Sequence, residues 1–148
     1  MKADIYLASD HRGYPMKLKL MSVLQEMGYH AIDCGPGTED RCDAGDYAQK
    51  VADALTKDRN AMGVLICGTG QAMAMTANRY RHVRAALCSE PVTARLTREH
   101  NDANILVLGA DMIGVAMAQD CLKVFLQTSF LGGRYAERRD KLTAMGGL

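Results

Sequence analysis

The stretch Gly63-Val64-Leu65-Ile66-Cys67-Gly68-Thr69-Gly70-Gln71-Ala72-Met73-Ala74-Met75-Thr76-Ala77-Asn78 decides the fold. Its apolar run, Val64 to Ile66, needs burial on both faces, the habit of a central parallel strand. Gly68 and Gly70 flank Thr69 and allow a tight turn, and the alanine- and methionine-rich segment that follows reads as the start of a helix. Cys67 therefore stands at a strand's carboxyl end, where an open parallel sheet borders its ligand crevice. The amides that open the next helix point at that crevice with partial positive charge, a setting that suits a thiolate.

The chain has 148 residues, enough for one ordinary domain with a real core. Lys and Arg total 18 against 17 for Asp and Glu, scattered except for a basic cluster near the C-terminus, so no nucleic-acid affinity is implied. Met1 to Ser9 hold a short apolar run without a charged leader or cleavage site. No run approaches the roughly 20 apolar residues of a membrane helix. The expectation is a cytoplasmic protein with no membrane partner. The five cysteines, Cys34, Cys42, Cys67, Cys88 and Cys121, form no CxxC pair, which argues against a disulfide frame and a structural zinc site.

Working outward, Ile5 to Ala8 reads as the first strand and runs into Ser9-Asp10-His11-Arg12-Gly13. Met16, Leu20, Val23, Leu24 and Met27 recur at three- and four-residue steps, predicting a helix from Pro15 to Met27 that Gly28 ends. His30 to Cys34 reads as a strand, Gly35 to Gly45 as a loop, and Asp46 to about Thr56 as a helix. Beyond the central unit, Val83 to Cys88 is a fourth strand, with Pro91 opening the helix Val92 to His100. Asn104 to Leu108 is a fifth strand. Val115 to Phe130 follows as a helix, with Ala116, Ala118, Val124 and Leu126 facing inward and Gly132-Gly133 ending it. Arg134 to Met145 is a basic terminal helix with Arg134 and Arg138 on one face. Strands alternating with helices predict a single α/β domain over 1–148: a doubly wound, Rossmann-like three-layer sandwich with a five-stranded parallel sheet and a C-terminal helix.

That topology gathers Asp10 and His11 after strand one, Cys67 after strand three and Ser89-Glu90 after strand four on one rim. Each has a plain structural reading too: Asp10 as a helix cap, Cys67 as a small core residue. Together they put a base or nucleophile, a carboxylate, an imidazole and a glycine cradle on one edge. Three familiar glycine-turn enzymes are excluded. Asn78-Arg79 does not supply the Lys and Ser or Thr of a nucleotide P-loop, and Met73 stands where a dinucleotide fingerprint needs glycine and a Cys-x5-Arg phosphatase needs arginine. His100-Asn101-Asp102-Ala103-Asn104 packs an imidazole, two amides and a carboxylate into a helix-to-strand junction, or else merely closes the helix. That junction lies at the opposite rim, so His100 and Cys67 meet in one site only if a second subunit brings His100 across.

Asp10-His11-x-Gly13, Cys67-Gly68-Thr69-Gly70, Cys88-Ser89-Glu90-Pro91, Arg98-x-His100-Asn101-Asp102-Ala103-Asn104 and Gly132-Gly133-Arg134 with Arg138 stand in order. With these the chain resembles, over essentially its whole length, the ribose-5-phosphate isomerase B and galactose-6-phosphate isomerase family. The resemblance implies a cofactor-free, metal-free aldose–ketose isomerase of a small phosphorylated sugar, a homodimer or dimer of dimers with shared active sites. It implies Cys67 as the base that moves a proton between C1 and C2, with Thr69 assisting. It makes the backbone of Gly68, Gly70, Gln71 and Ala72 an anion hole for the enediolate. It pairs His100 with Asp10 for opening the sugar ring, gives Asn101 a substrate contact, and assigns His11, Arg134 and Arg138 to the phosphate.

The chain departs from the family pattern in three places. Asp43-Ala44-Gly45 replaces Asp-Tyr-Pro, Ala72 replaces a glycine, and Asp111 replaces an arginine expected near the phosphate. A reversed charge there is worth on the order of a few kcal/mol at surface-like dielectric. Ribose 5-phosphate to ribulose 5-phosphate is the first reaction expected. Another tetrose, pentose or hexose phosphate, such as galactose 6-phosphate or allose 6-phosphate, and a binding module without turnover are the alternatives. Asp111 is expected to pair with an arginine in a pocket it shares with Arg134 and Arg138.

Overall fold

The predicted central strand is β3 (Met62–Cys67), buried from Gly63 to Cys67, in a computed structural model that describes residues 2–148. Met1 lies outside the described residues. Around β3 the chain lays β1 (Asp4–Ser9), β2 (His30–Asp33), β4 (Ala85–Leu87) and β5 (Ile105–Gly109) in the order β2-β1-β3-β5-β4, every pair parallel. The alternation of side chains across β1, β3 and β5 divides the core in two. Ile5, Leu7, Val64, Ile66, Leu106 and Leu108 face α1 (Tyr14–Glu26), α4 (Pro91–Asn101) and α5 (Val115–Gln127). Ala8, Leu65, Cys67 and Val107 face α2 (Ala44–Lys57) and α3 (Gln71–Ala77). The result is the three-layer α/β sandwich expected, with α6 (Arg134–Ala144) packed outside on α4.

Several boundaries differ, each for a local reason. The helix expected from Asp46 begins two residues earlier, at Ala44, behind Asp43 as its N-cap. The fourth strand shrinks to an edge strand of 3 residues, because Arg84 and Asn104 meet through side-chain-to-backbone bonds just before it (Arg84 N to Asn104 Oδ1, 2.8 Å). The long helix stops at Gln127 rather than Phe130: Thr128 turns its hydroxyl back to Val124 O (2.6 Å) and gives its own carbonyl to Arg98 Nε (3.2 Å). Gly132 and Gly133 therefore do not end α5; Gly133 is the N-cap of α6. Of the residues expected to face inward from α5, Ala118 is buried but Ala116 is exposed, and Cys121, Leu122 and Phe125 supply the rest of the stripe.

Lys17 is the largest surprise in the core. It falls on the buried stripe of α1 with 0% exposure. Its ammonium is held by Asp33 Oδ1 (2.9 Å) and Pro36 O (2.6 Å), with the Tyr14 ring 5.0 Å away. A buried cation needs such partners to offset its desolvation. Here they tie α1 to the loop that leaves β2.

Candidate active site

Strand β3 ends with Cys67 almost fully covered, and the chain turns at once through Gly68, Thr69 and Gly70 into α3. Gly70 sits at φ 80°, a left-handed conformation that favours glycine, and an added Cβ would press on Leu87 Cδ1 at 2.5 Å. The turn aims the Gly70 N–H at Cys67 Sγ (3.1 Å), giving a charged sulfur a donor. Thr69 is exposed, and its Oγ1 accepts the N–H of Gln71 (3.3 Å). Of the amides expected to form the anion hole, those of Gly70 and Gln71 thus donate within the turn, to Cys67 Sγ and Thr69 Oγ1. Ala72, in the first turn of α3, has no carbonyl a turn behind it. The carbonyls of Cys67 and Gly68 turn away from the crevice and accept Ala110 N (2.8 Å) and Asp111 N (2.9 Å).

The end of β1 lies beside this turn, with Ser9 opposite Ile66 and Asp10 N donating to Ile66 O (3.1 Å). Asp10 closes the turn that leads into α1: its Oδ1 accepts the N–H groups of Arg12 (2.9 Å) and Gly13 (3.0 Å), while Gly13 itself is the N-cap of the helix. His11 Nδ1 accepts the N–H of Cys42 (3.3 Å) from the loop before α2. In a neutral ring that leaves the proton on Nε2, so His11 presents a donor. Residues of that loop and of α2, among them Cys42, Asp43, Asp46 and Tyr47, line a cavity of about 500 Å³. Glu90 caps α4: its carboxylate accepts from the Thr93 hydroxyl, Thr93 N (2.8 Å) and Val92 N (2.6 Å), and these bonds hold its pKa below the ordinary carboxylate range.

Asp111 does pair with an arginine, but with Arg12 of its own chain (Nε to Oδ2, 2.6 Å), not with Arg134 or Arg138. The pair lies against the turn after Cys67: a Cβ on Gly68 would be 2.8 Å from Asp111 Oδ2 and 3.1 Å from Arg12 Nε. Motif reading passed over Arg12, although its place directly after Asp10-His11 on a strand-end loop was a usable signal.

The second set of expected residues gathers at the other rim. His100, near the end of α4, stacks on Tyr135 (centroids 4.6 Å apart, 9° between planes), and the guanidinium groups of Arg134 and Arg138 flank the same ring at 5.4 and 5.9 Å. Asp102, in the left-handed region at φ 51°, is the fastener. Arg98 (3.1 Å), Arg139 (2.7 Å) and Arg84 (3.5 Å) all reach its carboxylate, joining α4, α6 and the approach to β4. Asn101 is exposed and lines a cavity of about 570 Å³ with Arg79, Arg84, Thr97 and Met145; none of the rim residues around Cys67 lines it. Because Gly63 pairs with Ile105 and Cys67 with Gly109, the two rims are separated by about 13 Å of strand. A histidine side chain does not span that, so one chain brings together Cys67, Thr69, Asp10 and His11, and separately His100, Asn101, Arg134 and Arg138.

A family model described as Ribose/Galactose Isomerase matches residues 5–142. Ribose-5-phosphate isomerase B of Escherichia coli is 36% identical over 141 residues, 95% of either chain. Among solved structures, ribose-5-phosphate isomerase B of Clostridium thermocellum superposes with a TM-score of 0.94 at 39% identity, covering 96% of both chains. The Mycoplasma genitalium enzyme, solved with bound ribulose-5-phosphate, gives 0.94 at 35% identity over 97% of this chain and 96% of its own. By sequence along nearly its whole length and by the arrangement of its sheet, this chain belongs to the Ribose/Galactose Isomerase family.

Proposed function

We propose that the chain interconverts ribose 5-phosphate and ribulose 5-phosphate without a cofactor, as a single catalytic domain acting in the cytoplasm. The observation that carries this reading is the Gly70 N–H directed at Cys67 Sγ on the rim where Thr69, Asp10 and His11 also stand. Cys67, as thiolate, takes the proton from C2 of the open aldose. The carbonyl oxygen at C1 gathers the charge of the enediolate, opposite the amides that open α3. Thr69 Oγ1 passes a proton between O2 and O1, and return of the first proton to C1 completes the ketose. No bond is oxidised or reduced in net terms, so no external electron carrier enters the step.

His100 with Asp10 opens the furanose ring, and Arg134, Arg138 and His11 bind the phosphate, in a homodimer or dimer of dimers. The support for sharing is the distance between the rims together with the arginine–tyrosine–histidine cluster on α6, a helix with no buried residue of its own. The test is turnover of ribose 5-phosphate in ²H₂O, with deuterium expected in the ribulose 5-phosphate formed. Absence of both turnover and C2 exchange, with binding retained, would leave a sugar-phosphate-binding protein instead.

A further inference from the structure

The loop after β1 carries a cation that the roles assigned so far do not use. Arg12 follows His11, and its side chain reaches across the end of β3 to Asp111, beyond the end of β5. The carboxylate engages Nε alone, which fixes the guanidinium plane and leaves the two terminal nitrogens as a fork. The side chain is 58% exposed and lies against the turn that follows Cys67, with no hydrogen bond among the described residues taking up its terminal nitrogens. The N–H groups of Arg12 and Gly13 are already given to Asp10 Oδ1, so those two amides are closed to an anion at this corner. His11, whose Nδ1 is occupied by Cys42 N, supplies Nε2–H, and Arg12 supplies the neighbouring fork.

We infer that Arg12 is a specificity-determining residue that grips the phosphate of the sugar through its terminal nitrogens, with Asp111 as the group that holds it in position. The inference rests on the sugar-phosphate reading of the site. The chemistry is that of a fixed guanidinium and a dianion: two parallel charge-assisted hydrogen bonds, sensitive to plane and reach. Asp111 also lowers the net positive charge of the corner. Selection of a phosphorylated over a neutral sugar therefore comes from placement of the fork more than from bulk attraction.

Three measurements test this. Steady-state kinetics of Arg12→Ala should show KM for ribose 5-phosphate raised about tenfold or more with kcat within about threefold of wild type, since the lost contact is made before and during reaction alike. Arg12→Lys, which keeps charge but loses the fork, should fall between. Calorimetric titration with inorganic phosphate should weaken in parallel. If Arg12→Ala turns over ribose 5-phosphate with wild-type KM and binds inorganic phosphate normally, the inference is overturned and the pair is a surface staple, which a lowered Tm alone would reveal. Should wild type fail to isomerise ribose 5-phosphate, it is the proposed function that falls, and the phosphate titration still decides the role of Arg12.

Discussion

The two rims of the sheet are built on opposite principles. At the carboxyl rim, Cys67 is 5% exposed at the end of a strand buried on both faces, and its donor comes from backbone whose conformation favours glycine at position 70. Core packing sets that geometry, and little but unfolding would disturb it. At the amino rim, His100, Tyr135, Arg134 and Arg138 stand on helix surfaces, held by ring stacking and by three arginines on Asp102. That rim has charge and aromatic surface, and the cavity of about 570 Å³ beside it is lined by Asn101 and Thr97. The contrast separates the proposed chemistry: proton transfer on a buried strand end, with His11 and Arg12 beside it, and the Arg134–Arg138 share of anion capture on a helix with no buried residue of its own.

The largest effect should come from Cys67→Ala, which deletes the proposed base from the stiff rim. Turnover should drop about a hundredfold or more with the fold intact by circular dichroism, and a variant keeping more than about a tenth of wild-type kcat would sink the assignment. The next test joins the rims across subunits. Cys67→Ala and His100→Ala, each inactive alone, should recover about a quarter of wild-type activity after mixing and subunit exchange, because mixed dimers hold one intact shared site. No recovery despite demonstrated exchange would put each site within one chain.

A smaller change is expected from Asp102→Asn, which keeps the tolerance for a left-handed backbone but removes the charge that three arginines share. Stability should fall by about 1–2 kcal/mol in urea titration, with a severalfold rise in KM as α6 loosens on α4. An unaltered KM would mean that other contacts place Arg134 and Arg138. The smallest response belongs to the core thiols. Burial pushes the Cys88 thiol up to about 12 and Cys121 to about 11, so both stay neutral across the working range of the protein. At pH 8 iodoacetamide should label Cys67, with ribose 5-phosphate protecting, while Cys88 and Cys121 remain at background by mass spectrometry. Labelling of Cys88 in folded protein would show that the core opens far more readily than its packing indicates.

What could be read without coordinates follows from periodicity and from glycine. Val64 to Ile66 announced a central strand, Cys67-Gly68-Thr69-Gly70 the glycine turn that ends it, and three- and four-residue steps most of the inward stripe of α1. The failures have physical causes. Alternation of apolar residues in Val115 to Phe130 could not show that Thr128 would fold its hydroxyl back and stop the helix, nor that Ala116 would face water. A lysine on an apolar stripe reads as an error in phase until Asp33 and Pro36, distant in sequence, supply its partners.

Sequence by itself determined the element order, the parallel sheet and the identity of the residues at each strand end, because those depend on short-range pattern and backbone permission. Tertiary structure alone decided which charges meet. Asp111 stands 99 positions from Arg12, and Asp102 stands 37 from Arg139, separations over which no local pattern carries information. It also placed β5 between β3 and β4, bringing the segment after β5 against the turn after Cys67, so that a carboxylate and a guanidinium came to lie at the mouth of the proposed site.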